Sequence, residues 1–297
     1  MTESRQRTLD EWLAERRRRR AERAASGLVY KHISDRNTRE RKGYAVASVE
    51  VFLRDVRIKR GVPLRMAGTT GGTRGAIAGL SRQSRLRLMH YARNLRQLTH
   101  MLTLTYPGVF TNDGRRVKRD WAAFRKWLRR AYPELGGLWI LEFQRRGAPH
   151  LHAFLNGPIP YSDVANRWYE IVGSGDERHR VAGTRIESLR MPTAVASYAA
   201  KYAAKLEQKD VPVAFYEVGR MWGRFNIALQ SELYAGRREE IAPLVRTVRR
   251  LRDSLRRARR LPRRRDPGTV GFTAYDAAAG TRRLVEYQRL ASQGEGL

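Results

Sequence analysis

The stretch "GLWILEFQRRGAPHLHAFL" at residues 137–155 constrains the fold more than any other part of the chain. Two apolar runs flank a short polar loop containing glycine, which is the pattern of a β-hairpin and hence of an antiparallel sheet. Side chains alternate along a strand, so His150 and His152 emerge on one face while Leu151, Ala153 and Leu155 take the other. In the preceding run Glu142 and Gln144 share a face, and Leu141 and Phe143 share the opposite one. A register that sets Gln144 opposite His150 sets Glu142 opposite His152, with residues 145–149 as the turn. One carboxylate and two imidazoles then converge from neighbouring strands.

The flanking sequence supplies the rest of a domain. "SRQSRLRLMHYARNL" has helical spacing, and "HMLTLTYP" reads as a buried strand closed by Pro107. "RDWAAFRKWLRRAY" is a helix with Trp121, Phe124, Trp127 and Leu128 on one face. "SDVANRWYEIV" is helical, "GTRIESL" a strand, and "PTAVASYAAKYAAKLEQ" a helix with Pro192 near its start. This order predicts an α+β fold with an antiparallel sheet. N-terminal to it, "TLDEWLAERRRRRAERAAS" places Thr8 and Glu11 in capping-box spacing and predicts a short basic helix. "YAVASVEVFLRDVRIKR" reads as a strand. After Gly236, Leu244, Val248, Leu251 and Leu255 make a narrow stripe in an arginine-rich helix ended by Pro262, followed by a tail with little pattern. The expected division is therefore a basic extension at 1–43, a core at 44–235 and an arginine-rich helix and tail at 236–297.

Charge narrows the partners. Sixty Lys and Arg against 29 Asp and Glu give a net +31, which favours nucleic acid before any other partner. There is no cysteine, which excludes disulfides and thiolate metal sites. No signal peptide or membrane span is visible, so an intracellular protein with no membrane partner is expected. The glycine-rich "AGTTGGTRGAIAGLS" lacks the Lys-Ser/Thr ending of a phosphate-binding loop, and no ATPase motif is present elsewhere.

Two constellations carry chemistry. Taken alone, His150-x-His152 fits either a metal site or two hydrogen-bonded surface histidines. Glu142 on the matching face, in so basic a chain, favours the metal, and a mixed N/O site suits Mg²⁺ or Mn²⁺ acting on phosphate. The second is "SYAAKYAAKL", where Tyr198 and Tyr202 lie one helical turn apart and Lys201 and Lys205 follow at a three-residue offset. On this stretch alone Val195, Tyr198, Tyr202 and Leu206 also fit an ordinary buried face. A phenol beside an ammonium and near a metal-bound phosphate is equally a candidate nucleophile.

In chain order, "MLTLTYP", "PHLHAFL" and "YAAKYAAK" resemble the three motifs of the HUH endonuclease superfamily, in the branch of phage and plasmid rolling-circle replication initiators with two tyrosines. "RGAIAGLSRQSRLRL" and "GRMWGRFN" are similar to sequences flanking the core of such proteins, and the resemblance spans roughly residues 44–235. It implies an antiparallel sheet with the histidines central and the tyrosine helix packed on them. It implies Glu142, His150 and His152 as metal ligands, Tyr198 and Tyr202 as nucleophiles, and Lys201 and Lys205 as phosphate-orienting cations. Lysines on both sides of Tyr202 favour it as the first to attack. The implied activity is nicking and rejoining of single-stranded or hairpin origin DNA through a 5′-phosphotyrosine, with a host helicase and polymerase as partners. The tyrosines follow the histidine motif, as in replication initiators and unlike conjugative relaxases. A non-catalytic nucleic-acid-binding or packaging protein and an HUH transposase remain as alternatives.

Overall fold

The computed structural model describes residues 46–59, 80–95, 97–191, 194–208, 211–216, 218–262 and 271–292, with backbone alone at 46, 202–208, 235–240, 271 and 287–292. The predicted N-terminal helix and the glycine-rich segment at 68–79 lie outside the described residues. The fold is α+β, with two antiparallel sheets, and the chain divides into two compact units.

The first unit, described over 80–228, holds a five-stranded sheet. Its strands are β3 (His100–Thr105), β4 (Gly137–Phe143), β5 (Pro149–Leu155), β6 (Thr184–Ser188) and β7 (Trp222–Phe225), ordered β6-β3-β5-β4-β7. The histidine strand is thus the middle one, as expected. Helices α1 (Arg82–Asn94), α2 (Gly114–Ala131), α3 (Tyr161–Val172), α4 (Glu177–Ala182) and α5 (Ala194–Gln208) complete the unit. Helix α2 starts where the Asp113 carboxylate accepts the Arg115 N–H at 2.7 Å, satisfying an otherwise orphaned donor. Its buried Val117, Trp121, Phe124 and Leu128 recur at helical spacing and pack with Leu151, Ala153 and Leu155 of β5 in one apolar cluster. Trp168 of α3 joins that cluster edge-on to Phe124, ring centroids 6.0 Å apart. On the opposite side α5 packs against α1. The predicted alternation along β5 therefore holds, with leucines on the core and histidines on the tyrosine-helix side.

The hairpin register differs from the expected one by two residues. Glu142 pairs with His150 and Ile140 with His152, and the loop is the tighter Arg145-Arg146-Gly147. The Gly147 N–H donates to the Gln144 carbonyl at 2.8 Å and the Gln144 N–H to the Ala148 carbonyl at 2.9 Å. Gly147 has φ +81°, the left-handed conformation that closes a type I turn followed by a bulge. The shift has a physical cause, because a three-residue loop consumes two fewer positions than the five-residue turn. Since two is the period of the pleat, every side chain keeps its face.

At the other end of the hairpin, glycine is required for a different reason. A Cβ on Gly137 would lie 2.2 Å from the Phe154 carbonyl oxygen, a backbone atom that cannot swing away. Gly137→Ala is expected to destabilise the chain by about 2–3 kcal/mol, the usual cost of forcing atoms into a filled interior. A urea midpoint unchanged from wild type would contradict that packing.

The second unit joins segments far apart in sequence. "YAVASVEVFLRDVRIKR" is two strands and a tight turn, β1 (Val46–Val51) and β2 (Val56–Lys59), rather than one strand. With β8 (Glu232–Arg237) and β9 (Gly271–Ala274) they form a four-stranded sheet in the order β8-β1-β2-β9. Helix α6 (Arg238–Ala258) buries Ile241, Leu244, Val245 and Val248 in one cluster with Val49, Val51, Val56 and Ile58. Its leucine stripe is therefore the core of a second unit and not a solvated appendage. The tail also has structure, for β9 and α7 (Ala278–Ser292) belong to the same unit. There Arg282 donates to the Phe52 carbonyl at 2.6 Å and pairs with Glu232 at 2.9 Å.

Candidate active site

The site is built on the face of β5 that carries His150 and His152. Antiparallel pairing places Thr103 of β3 across from His152 and Thr105 across from His150. The Thr103 hydroxyl lies 3.1 Å from His152 Nδ1, and the Thr105 hydroxyl 3.3 Å from His150 Nδ1. A hydroxyl accepting the Nδ1–H fixes the tautomer in which Nε2 carries the lone pair, the form in which imidazole is a ligand or base. The Gln144 amide nitrogen also approaches His150 Nδ1, at 3.3 Å. The two imidazoles stand edge to face with centroids 4.5 Å apart.

From β4, Glu142 reaches diagonally past its partner His150, so that its Oε2 lies 3.8 Å from His152 Nε2. The carboxylate and the buried imidazole meet as the sequence predicts, although by a different register. From α5, the Tyr198 hydroxyl donates to Glu142 Oε1 at 3.3 Å. The Tyr198 ring stands 5.0 Å from that of His152 and 5.1 Å from that of Phe154. Burial pushes the Tyr198 phenol well above its usual range, the negative charge of Glu142 adds to this, and so does the hydrogen bond between them. The phenol is accordingly held protonated against an acceptor.

Four of the sequence-predicted residues, Glu142, His150, His152 and Tyr198, thus come together on one face. Lys201 is exposed on α5. Tyr202 and Lys205 lie on the same helix, and their side chains are outside the described residues. The donor chemistry of Glu142 with His152, and His150 beside them, fits a divalent cation with N/O preference. Among the described residues no three His, Cys, Asp or Glu side chains close into a finished cage. What the chain supplies is a carboxylate–imidazole pair with a second imidazole at its edge.

Thr103 and Thr105 were not singled out by spacing, yet a signal was there. "TLT" has the same period as "HLH", and two such strands paired antiparallel must align their polar faces. Arg146 was missed too. From the hairpin loop its guanidinium donates to the Tyr106, Pro107 and Gly108 carbonyls at 2.7, 2.8 and 3.0 Å, and so ties the end of β3 to the histidine hairpin. Nothing in a loop arginine's local sequence announces such long-range partners. On the core side of the same strand end, the Tyr106 hydroxyl donates to buried Asp120 at 2.9 Å.

Residues 99–207 match the model of the ORF2 family of replication-associated proteins. The matched segment runs from β3 to α5 and contains every one of the seven predicted site residues. It supports a replication-initiator role. No curated protein and no solved structure gives a significant match. No helix among the described residues is long and apolar enough to cross a membrane.

Proposed function

We propose that the chain initiates rolling-circle DNA replication by nicking and rejoining single-stranded origin DNA through a 5′-phosphotyrosine, as a two-tyrosine HUH endonuclease. The observation that carries this reading is the convergence of Tyr198, Glu142 and His152, with the phenol donating to the carboxylate at 3.3 Å and the carboxylate 3.8 Å from the imidazole. A core stripe has no need of a phenol aimed at a carboxylate beside two oriented histidines.

Glu142, His150 and His152 would hold Mg²⁺ or Mn²⁺, which supplies Lewis-acid polarisation of a phosphodiester oxygen. The remaining steps belong to the chain. Thr103 and Thr105 orient the imidazoles. The Tyr198 oxygen attacks phosphorus in line, an O–P bond forms, and the bond from phosphorus to the 3′-oxygen breaks. Glu142 is the acceptor nearest the phenol proton, and the departing 3′-oxygen takes up a proton to become the hydroxyl that primes synthesis. No water is consumed, so the ester can be reversed to reseal a strand. The contact with Glu142 favours Tyr198 as the first nucleophile over Tyr202. Tyr202, one turn along α5, would accept the second transfer, with Lys201 and Lys205 drawing in the phosphate. The arginine-rich segments provide salt-sensitive affinity for the DNA backbone, and strand separation falls to a host helicase.

Incubation of the purified chain with single-stranded origin DNA and Mg²⁺ or Mn²⁺, followed by a denaturing gel, tests the proposal. A band carrying both protein and DNA is expected, and its absence with every divalent metal and every origin strand would refute it. A finer expectation concerns Thr103. Thr103→Val keeps the shape and removes the hydroxyl at His152 Nδ1, so nicking should fall roughly 10- to 100-fold, as for other partners of ligating histidines. Thr103→Ser should restore it. Equal activity of the valine and serine variants would show that the hydroxyl does not position the imidazole.

A further inference from the structure

Around β7, at the edge of the first unit's sheet, lies an open cleft of about 1540 Å³ that the chemistry above does not use. Its walls come from the start of α1, from α2, from β4 and from β7. Five cations line it, Arg87, Lys118, Arg125, Arg220 and Arg224, and no Asp or Glu among the described residues does. Uncompensated positive charge gathered in a concave site calls for an anion. The cations lie over aromatic faces: Lys118 Nζ is 4.4 Å from the Trp139 ring centroid, and the Arg224 guanidinium is 5.3 Å from that of Tyr91. Tyr91 and Trp222, with centroids 6.0 Å apart, add a half-buried aromatic wall.

Two buried donors in the lining have no acceptor among the described residues, the Arg125 Nε and the Trp121 indole nitrogen. Buried donors are rarely left so unless a ligand completes them. Burial, Arg125 and Arg220 together push the Lys118 ammonium down to about 7, a crowding that a bound anion would relieve. Position adds a further argument. Trp222 pairs with Ile140, and Ile140 with His152, so one row across the sheet joins the cleft to the histidine strand. Two strand spacings separate them, about 10 Å.

We propose that this cleft is a nucleotide-binding site, in which the aromatic wall stacks a base and the cations hold its phosphate. The nucleotide is either one that flanks the scissile phosphate in the single strand, which rests on the nicking reading, or a free nucleotide. Aromatic stacking with a basic channel is the general solution for unpaired nucleic acid, and it tolerates any base.

The test reads binding without divalent metal, so that no nicking is needed and failure of the nicking reading would leave it intact. The full chain is photocrosslinked to a short oligothymidylate carrying 5-iododeoxyuridine at successive positions, and separately to 5-iododeoxyuridine monophosphate. Mass spectrometry should find the adduct on Tyr91, Trp139 or Trp222. The Lys118→Gln/Arg125→Gln variant should bind the oligonucleotide at least about tenfold more weakly, with a salt slope lower by about 0.7 for each phosphate it no longer neutralises. The Arg220→Gln/Arg224→Gln variant, which changes only exposed side chains, should weaken binding without any question of folding. Crosslinks with the oligonucleotide alone assign the cleft to the DNA strand, and crosslinks with the monophosphate as well assign it to free nucleotides. Adducts only elsewhere, or both variants binding both ligands with wild-type affinity, would overturn the proposal.

Discussion

The Tyr198→Phe/Tyr202→Phe double variant is expected to form no covalent protein–DNA adduct, a drop of more than about a thousandfold. Phenylalanine keeps the ring that Tyr198 sets 5.0 Å from His152 and 5.1 Å from Phe154, so the packing of α5 on the sheet should survive. Only the oxygen that reaches Glu142 is removed. The single variants should differ. Tyr198→Phe should strongly reduce the first cleavage, whereas Tyr202→Phe should chiefly impair strand transfer and termination, because the two positions sit one turn apart and approach a phosphate in succession. Were the tyrosines only a core stripe, the double variant would stay fully active. Mass spectrometry of the trapped peptide–oligonucleotide identifies the residue that attacks, and an adduct on neither tyrosine would remove the basis for the proposed enzyme.

Replacing both histidines has the second largest expected effect. His150→Ala/His152→Ala should lower nicking by about a thousandfold, the scale of several kcal/mol of lost Lewis-acid stabilisation at about 1.4 kcal/mol per tenfold. Affinity for single-stranded DNA should change by no more than about twofold, because the net charge of +31 supplies it. Removing His152 leaves the Thr103 hydroxyl without its ring partner inside the sheet, which costs about 1–2 kcal/mol. Circular dichroism and a gel-shift assay therefore accompany the activity measurement. Undiminished nicking by a folded, DNA-binding double variant would show that the histidines hold no catalytic metal. Glu142→Gln separates the same question from folding, since it keeps the shape and an acceptor for Tyr198 but deletes the charge.

Much of this site was legible because strands and helices carry their own periods. The parity of Glu142, His150 and His152 fixed which face they share, whatever the register. The three-to-four spacing of Trp121, Phe124 and Leu128 announced the buried face of α2, and the structure packs it on Leu151 and Leu155. The leucine stripe of α6 was equally visible, but its role was not. A stripe shows that a helix needs a partner and is silent about which. The strands that cover it, β1 and β2, lie nearly two hundred residues earlier in the chain than α6. The weakly patterned β7 and β9, four residues each, are too short for alternation to stand out.

The sequence by itself determined the α+β class, the histidine hairpin and the sharing of one face by its polar side chains, since these follow from local period and from parity. Tertiary structure alone decided the register, through the left-handed Gly147 and its three-residue loop. It also decided that Tyr198 meets Glu142, that Thr103 and Thr105 orient the imidazoles, and that four strands drawn from both ends of the described chain close a second sheet. Those outcomes depend on contacts between residues from 45 to more than 180 positions apart. Local preference cannot encode such contacts, because each is selected by the free energy of burying whole faces against one another.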